Sequence, residues 1–190
     1  MKCIFCSNIS FTFVCADCQI FFFKPTLSKR YLKDDLTVYS FYPYSQVEDF
    51  IKTKHKYHGE KIYKLLAKNS FKVFANSFTY DKKVYAFPID DKLSTLYSHT
   101  AILAKSLKSR YITPKFSVLR ARNSVTYSRK SLEFRLKNPR DFNYTFKENI
   151  DVILVDDIIT TGTTLLEAKE TLKKYNVNIL FALTLADARQ

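Results

Sequence analysis

The chain has 190 residues and a hydrophobic content of 46%, which suits one domain of ordinary size with a small attachment. Its formal net charge is +13. It contains no run of 18 apolar residues, so a helical membrane span is not expected. No apolar signal segment follows Met1, so we expect a cytoplasmic protein.

The positive charge is concentrated in the middle of the chain. Residues 103–150 carry 12 Lys and Arg against 3 Asp and Glu, whereas residues 151–190 carry 4 against 6. Such a basic excess favours polyanionic partners such as nucleic acid. A solvated, lysine-rich surface would have the same composition, so charge alone leaves both interpretations open.

The cysteines lie in two pairs near the N-terminus: Cys3 and Cys6, then Cys15 and Cys18. Two pairs with this spacing can place four thiolates tetrahedrally, so we predict a structural zinc finger over residues 1–24. Residues 7–14 alternate in polarity and are predicted to form a hairpin between the pairs. Two disulfides or a redox pair are the alternatives, and disulfides are disfavoured in the cytosol.

The rest of the chain, residues 36–190, alternates predicted strands and helices. Strands are predicted at 36–42, 84–88, 116–119, 152–155 and 178–186, and helices at 47–54, 59–68 and 96–107. Residues 71–80 are mixed in character and are assigned to a strand. Residues 120–141 are basic and without periodicity, which predicts a long, functional loop. The alternation predicts a parallel sheet with helices on its faces.

The most informative stretch is residues 151–164. A buried strand is predicted to lead into Asp156 and Asp157, and then into the loop Thr160-Thr161-Gly162-Thr163-Thr164. Thr164 and Glu167 have the spacing of a capping box, so a helix is expected to begin there. A glycine beside a helix N-terminus suits a phosphate, and acids at the end of a strand suit sugar hydroxyls or a divalent cation. An ordinary strand–turn–helix is the alternative.

This motif resembles the ribose-phosphate loop of the type I phosphoribosyltransferases. The resemblance implies a parallel sheet of that type and a site for phosphoribosyl pyrophosphate (PRPP) together with Mg²⁺. Asp156 and Asp157 would hold the ribose hydroxyls and act as the catalytic acids, since their charges would stabilise a cationic ribose. The residues assigned to PRPP are Asp156, Asp157, Thr160, Thr161, Gly162, Thr163, Thr164 and Lys92.

Several features together resemble the ComF family, which is linked to DNA uptake in natural transformation. They are the four-cysteine N-terminus, the segment 54–60, the strand that ends at Pro88, the basic loop and the threonine loop. The family's series in the basic loop is partly present, as Arg120 or Arg122, Ser131, Arg135, Asn138 and Phe142, with Tyr127 where Gln is usual.

One departure from the family concerns the pyrophosphate side of the site. The family usually has an Arg-Gly pair there, whereas residues 96–99 of this chain read Leu-Tyr-Ser-His. This loss predicts weaker pyrophosphate binding and weaker catalysis, with Lys92 as the obvious cation left on that side.

The resemblance implies a competence protein that binds single-stranded DNA and keeps a PRPP-type site. DNA-uptake or recombination proteins would be further partners. The residues assigned to nucleic acid are Arg120, Arg122, Arg129, Lys130 and Arg135. An active phosphoribosyltransferase with an unknown acceptor is a second hypothesis. A zinc-finger adaptor that docks other proteins is a third.

Overall fold

The computed structural model describes residues 1–52, 59–89, 98–123, 133–134 and 138–190. Its helices include α1 (Ala16–Phe22), α2 (Tyr44–Ile51), α3 (Gly59–Asn69), α4 (Phe71–Ser77), α5 (His99–Ser106) and α6 (Thr163–Lys173). Its strands are β1 (Ser28–Tyr31), β2 (Thr37–Pro43), β3 (Val84–Pro88), β4 (Ile112–Pro114), β5 (Leu119–Ala121), β6 (Phe142–Tyr144), β7 (Asp151–Ile159) and β8 (Asn178–Asp187). None of the described helices is long and apolar enough to cross a membrane.

Six strands form one sheet in the order β1-β2-β8-β7-β3-β4. Only β1 is antiparallel to its neighbour, and the other pairs run parallel. The predicted α/β class, a mostly parallel sheet flanked by helices, is therefore confirmed. Because parallel strands end at the same edge of a sheet, Pro88, Ile159 and Asp187 lie toward one edge, where such sheets bind ligands. Asp156 lies within the last part of β7.

The central strand β7 is buried on both faces of the sheet. Ile153 and Val155 belong to the apolar cluster that includes residues of α2 to α5, whereas Val152 and Leu154 belong to the cluster on the α6 side. All four side chains are fully buried. This explains why the sequence of β7 is a continuous apolar run rather than an alternating one. The burial fixes the position of the acids that follow.

The cysteine-rich segment packs directly against α2 and β2. The ring of Phe5 contacts those of Phe22 and Phe50, at centroid distances of 5.0 and 5.4 Å. The hydroxyl of Tyr42 donates to the carbonyl of Phe23 at 2.9 Å. Cys3 and Cys18 are buried in the same apolar cluster as α3. The segment that would hold zinc therefore shares its core with the sheet domain.

The hairpin predicted over residues 7–14 is wrong. Residues 8–10 instead run beside the N-terminus, with one antiparallel bridge between Ile9 and Lys2. The N–H of Cys3 donates to the carbonyl of Asn8 at 2.8 Å, and Ser7 has a φ of 60° that closes the turn after the first cysteine pair. The chain turns between the first pair of cysteines rather than between the two pairs.

Two other assignments are corrected. Residues 71–80, assigned to a strand, begin with helix α4, in which Phe71 and Phe74 contact the ring of Phe41 in β2. The strand predicted at 116–119 is wrong in position, since β4 ends at Pro114 and β5 begins at Leu119. Residues 54–58 of the segment 54–60 lie outside the described residues. Residues 96 and 97, at the start of the helix predicted at 96–107, also lie outside them.

Strand β1 lies between the two predicted regions, 1–24 and 36–190. It joins β2 through a tight turn in which Asp34 and Asp35 both have a φ of 58°, and the N–H of Leu32 donates to the carbonyl of Leu36 at 2.9 Å. Aspartate tolerates this left-handed conformation better than most residues. The turn lies at the start of β2, whereas Pro43 at the end of β2 is in register with Asp187.

Candidate functional site

The two acids lie within strand β7, which extends to Ile159, beyond the predicted end at residue 155. The N–H of Asp157 donates to Asp156 Oδ1 at 2.8 Å, and the N–H of Ile158 donates to Asp157 Oδ1 at 2.8 Å. Each carboxyl is therefore held by the amide that follows it. In the sheet, Asp156 is in register with Thr184 of β8.

The environment of Asp156 opposes its ionisation. Burial raises the pKa of Asp156 well above its usual value, and the neighbouring charge of Asp157 raises it further. The hydrogen bond from the N–H of Asp157 and the positive charge of Arg140 lower this pKa in part. A ligand that donates hydrogen bonds to this carboxyl, as sugar hydroxyls do, would favour its charged form.

Arg140 is a buried cation that acts on the acids, and the sequence analysis did not include it among the site residues. It is 8% exposed, and its backbone N–H donates to Glu167 Oε2 at 2.7 Å. Burial lowers the pKa of Arg140, while the carboxylates of Asp156, Glu167 and Asp157 raise it. A cation from the segment just before β6 therefore acts on both acids.

The threonine loop forms the start of helix α6. Gly162 is the N-cap with φ +83°, and the side chains of Thr161 and Thr163 are hydrogen-bonded at 2.8 Å. The helix begins at Thr163 with Gly162 as its N-cap, so Thr164 is not the N-cap and the predicted capping box is wrong. Glu167 Oε2 accepts from the backbone N–H of Arg140. The glycine is needed here because a left-handed N-cap disfavours other residues.

The acid and the loop line one small pocket. Its lining residues are Asp156, Ile158, Ile159, Thr160, Thr161, Gly162, Thr163, Thr164 and Leu165. The N–H groups of residues 163–165 begin an eleven-residue helix and donate to no carbonyl within it, so they form the positive end of the helix dipole. Of these, the N–H of Thr163 donates to Thr161 Oγ1 at 3.4 Å. An anion beside a carboxyl that receives sugar hydroxyls is the chemistry of a sugar phosphate.

The structure places the other predicted site residues differently. Arg120 is exposed on β5, and Arg122 is 63% exposed with its guanidinium donating to Asn143 Oδ1 at 3.2 Å. Neither lines the pocket. The remaining predicted site residues lie outside the described part of the chain: Lys92, Arg129, Lys130 and Arg135.

The four cysteines come together as the spacing predicts. Their Sγ atoms all lie within 4.8 Å of one another, and none forms a disulfide. Tetrahedral zinc with Zn–S bonds of about 2.3 Å places its sulfurs about 3.8 Å apart, so these thiols fit a zinc ion after a small contraction. All four positions would be taken by protein, which leaves none open for catalysis.

The thiols have unequal proton affinities. The backbone N–H of Cys6 lowers the pKa of Cys3 to about 6, with the N–H groups of Cys15 and Phe5 adding to the effect. Burial raises the pKa of Cys18, and the neighbouring thiols, Cys15 first, raise it further. Four thiolates this close repel one another, and a divalent cation would relieve that repulsion.

Comparison with known families identifies the C-terminal part of the chain. Residues 115–190 match the family model described as phosphoribosyl transferase domain, and they contain the acid pair, the threonine loop and α6. Residues 115–190 are therefore similar to a phosphoribosyl transferase domain. This match and the mostly parallel sheet agree with the type I phosphoribosyltransferase resemblance seen in the motif. No curated protein matches the chain significantly in sequence.

Several solved structures are similar to the chain at low identity. A hypoxanthine phosphoribosyltransferase from Staphylococcus aureus is 22% identical, with a TM-score of 0.44, over 67% of this chain and 64% of its own. An adenine phosphoribosyltransferase is 14% identical, with a TM-score of 0.45, over 87% and 86%. That from Saccharomyces cerevisiae is 15% identical, with a TM-score of 0.42, over 85% and 83%. The chain thus spans just under two thirds of the Staphylococcus enzyme.

Proposed function

We propose that the chain binds a phosphoribosyl ligand of the PRPP type. The observation that carries the proposal is that Asp156 and the threonine loop line one pocket at the start of α6. The N–H groups of residues 163–165 and the threonine hydroxyls would donate to the 5′-phosphate. Asp156 and Asp157 would accept hydrogen bonds from the ribose hydroxyls.

The acids could also hold the Mg²⁺ ion that the resemblance implies together with PRPP. Asp156 lines the pocket and Asp157 follows it in β7. Both carboxylates are hard oxygen donors, so they are the residues that could hold Mg²⁺. When bound, Mg²⁺ would balance the charge of the pyrophosphate. The protein's own part is to hold the ribose between the acids and the loop, and to keep two carboxylates beside a ribose that becomes cationic if the pyrophosphate leaves.

Binding of the ligand's separate pieces tests this proposal. Calorimetric titration with ribose 5-phosphate, with ribose and with inorganic phosphate measures each half of the site. We expect ribose 5-phosphate to bind at least about a hundredfold more tightly than either piece. The reason is that a phosphate group bound at the loop keeps the linked ribose close to the acids. Equal affinities for ribose 5-phosphate and inorganic phosphate would contradict a ribose site at the acids.

We further propose, from the ComF resemblance, that the chain binds single-stranded DNA and acts in DNA uptake. The net charge of +9 in residues 103–150 and the exposure of Arg120 and Arg122 support this.

The salt dependence of DNA binding tests this proposal. Neutralised phosphates release counterions, so the logarithm of the affinity should fall linearly with the logarithm of the salt concentration, with a slope of about −0.7 for each phosphate contact. Replacing both arginines with alanine should make that slope less steep, whereas Lys64→Ala on α3 should not. Salt-independent binding would contradict the proposal.

An active phosphoribosyltransferase is the second candidate, and the match of residues 115–190 favours it. Its reaction would break the bond between C1 of PRPP and pyrophosphate and form a bond from C1 to an acceptor. Pyrophosphate release is therefore measured with PRPP, Mg²⁺ and a panel of nucleobases and amines. Binding of PRPP without release by any acceptor would favour a binding protein over an enzyme.

A protein-docking zinc finger is the third candidate. Its support is the exposure of apolar side chains around the cysteines, with Ile9 at 89% and Phe11 at 104%. Zinc, when bound, would fix the backbone that carries them. The double variant Ile9→Ser/Phe11→Ser should lose DNA-uptake or recombination proteins that the wild-type chain retains in a pull-down, since both side chains are on the surface. Equal retention would remove the support.

A further inference from the structure

Strand β1 contributes an arginine to the start of the threonine loop. Arg30 Nη1 donates to the carbonyl of Thr160 at 2.8 Å and lies 3.3 Å from Asp187 Oδ1. The side chains of Arg30 and Asp187 are only 13% and 3% exposed. One guanidinium therefore bridges the first residue of the loop and the last residue of β8.

Two further contacts join the 28–35 segment to the same region. The side chain of Leu32 lies so close to Gly162 that a Cβ on that glycine would be 2.5 Å from Leu32 Cδ1. The ammonium group of Lys169, on α6, donates to the carbonyl of Asp34. The segment thus contacts the loop at its start, at its glycine and along the helix that follows.

Asp187 is itself held by its surroundings. Its Oδ1 accepts from the N–H of Arg189 at 2.9 Å, and the N–H of Ala188 donates to the carbonyl of Ile159 at 2.9 Å. Burial lowers the pKa of Arg30, and the charge of Asp187 opposes that effect. Because both ends of the bridge are nearly buried, the bridge is a fixed part of the fold rather than a solvated surface pair.

We propose that Arg30 is a positioning residue for the phosphate loop, so that the 28–35 segment sets the affinity of the site for phosphoryl groups. Arg30 holds the carbonyl of Thr160, and the loop can then present the N–H groups at the start of α6 in one arrangement. This inference rests on the proposed function for the phosphate. It also means that residues outside the matched range 115–190 complete the site.

The test compares variants that separate the bridge from general stability. Arg30→Met alone would leave the Asp187 carboxylate buried without its cation, so the double variant Arg30→Met/Asp187→Asn is the main one, because Asn keeps an oxygen for the N–H of Arg189. Lys29→Met is the matched control. Lys29 neighbours Arg30 in β1, but its ammonium group lies over the rings of Tyr31 and Tyr39, at 4.6 and 5.7 Å.

Two measurements are made on the full chain. Hydrogen exchange over residues 157–166 is followed without ligand, and affinities for ribose 5-phosphate, inorganic phosphate and ribose are measured by calorimetry. We expect the double variant to exchange faster there and to bind both phosphates at least about tenfold more weakly, with ribose unchanged. Lys29→Met should match the wild type.

The possible outcomes separate the positioning role of Arg30 from the proposed binding of phosphate. Unchanged exchange and unchanged phosphate affinity in the double variant would overturn the positioning role of Arg30. An equal loss of affinity for ribose and for phosphate would also overturn it, because that pattern indicates a general loss of structure. Faster exchange in the variant, with no phosphate binding by the wild type, would support the positioning role and overturn the proposed function.

Discussion

Arg140 and Glu167 join the segment before β6 to the helix that follows the threonine loop. The N–H of Arg140 donates to Glu167 Oε2 at 2.7 Å, and the charge of its guanidinium acts on Asp156, Asp157 and Glu167. Like charges side by side in a partly buried strand end destabilise each other. Arg140 is therefore the internal cation that offsets the repulsion between the two acids.

Replacing Arg140 with methionine should weaken sugar-phosphate binding most at neutral pH. Without the guanidinium, the pKa of Asp156 rises further, so a larger fraction of the acid is protonated and accepts hydrogen bonds poorly. We expect about tenfold weaker binding of ribose 5-phosphate at pH 7, with affinity recovering as the pH rises. Arg140→Lys should keep part of the affinity, and Arg122→Met, an exposed arginine, should keep all of it. A pH profile parallel to that of the wild type would contradict this.

Asp156→Asn should stabilise the fold near neutral pH while it removes ribose binding. The pKa of Asp156 is higher in the folded than in the unfolded chain, so its contribution to stability is greatest below the usual value of 3.8 and is lost as pH rises through the folded-state value. Asparagine does not ionise, so it loses no stability as the pH rises, and it keeps an oxygen for the N–H of Asp157. We expect a gain on the order of 1 kcal/mol at pH 7 in urea unfolding. Equal stability at pH 7 would count against a costly buried charge.

Cys15→Ser should remove zinc and lower stability. Cys15 is a zinc ligand in the proposed site, and its Sγ accepts from the N–H of Cys18 at the start of α1. Because metal binding and folding are coupled, we expect a loss of at least about 2 kcal/mol. Zinc content and thermal unfolding are measured with and without a chelator. Ser7→Ala, at a nearby non-ligand position, is the control. A variant that melts like the wild type would show that zinc is not structural.

Gly162→Ala should impair both stability and phosphate binding. A φ of +83° costs an alanine roughly 1–2 kcal/mol, and its Cβ would also displace Leu32. The double variant Gly162→Ala/Leu32→Ala should recover phosphate affinity only in part, because it relieves the contact but not the backbone conformation. The phosphate affinity is measured by calorimetry with inorganic phosphate, and the free energy of unfolding is measured in urea. Both measurements are made on the two variants and on Leu32→Ala. Full recovery in the double variant would mean that the contact alone matters.

Much of the arrangement of the candidate site could be predicted because its signals are local in sequence. Residues 152–155, the acids and the threonine loop lie within 13 residues, and a buried strand followed by a helix start places them together. Arg30 could not be predicted, because its bond to Thr160 spans 130 residues of sequence. Arg140 could not be distinguished from the other basic residues of 103–150, because the sequence does not indicate which of them is buried.

The incorrect assignments have similar physical causes. Residues 71–80 contain Phe71, Phe74 and Phe78, whose spacing of three and four is helical, but the segment as a whole is mixed in character and was assigned to a strand. The alternation in residues 7–14 did not produce a hairpin, because backbone bonds to residues 1–4 and the turn between the first cysteines decide the local structure there. The fold class, in contrast, depended on the order of elements and was predicted correctly.

The central claim is that Asp156 and Asp157 hold the ribose while the loop holds the phosphate. The most direct test is calorimetric titration of the wild type and of Asp156→Asn/Asp157→Asn with ribose 5-phosphate and with inorganic phosphate. We predict that the double variant loses the advantage of ribose 5-phosphate over phosphate and still binds inorganic phosphate. A double variant that binds ribose 5-phosphate as tightly as the wild type would contradict the account.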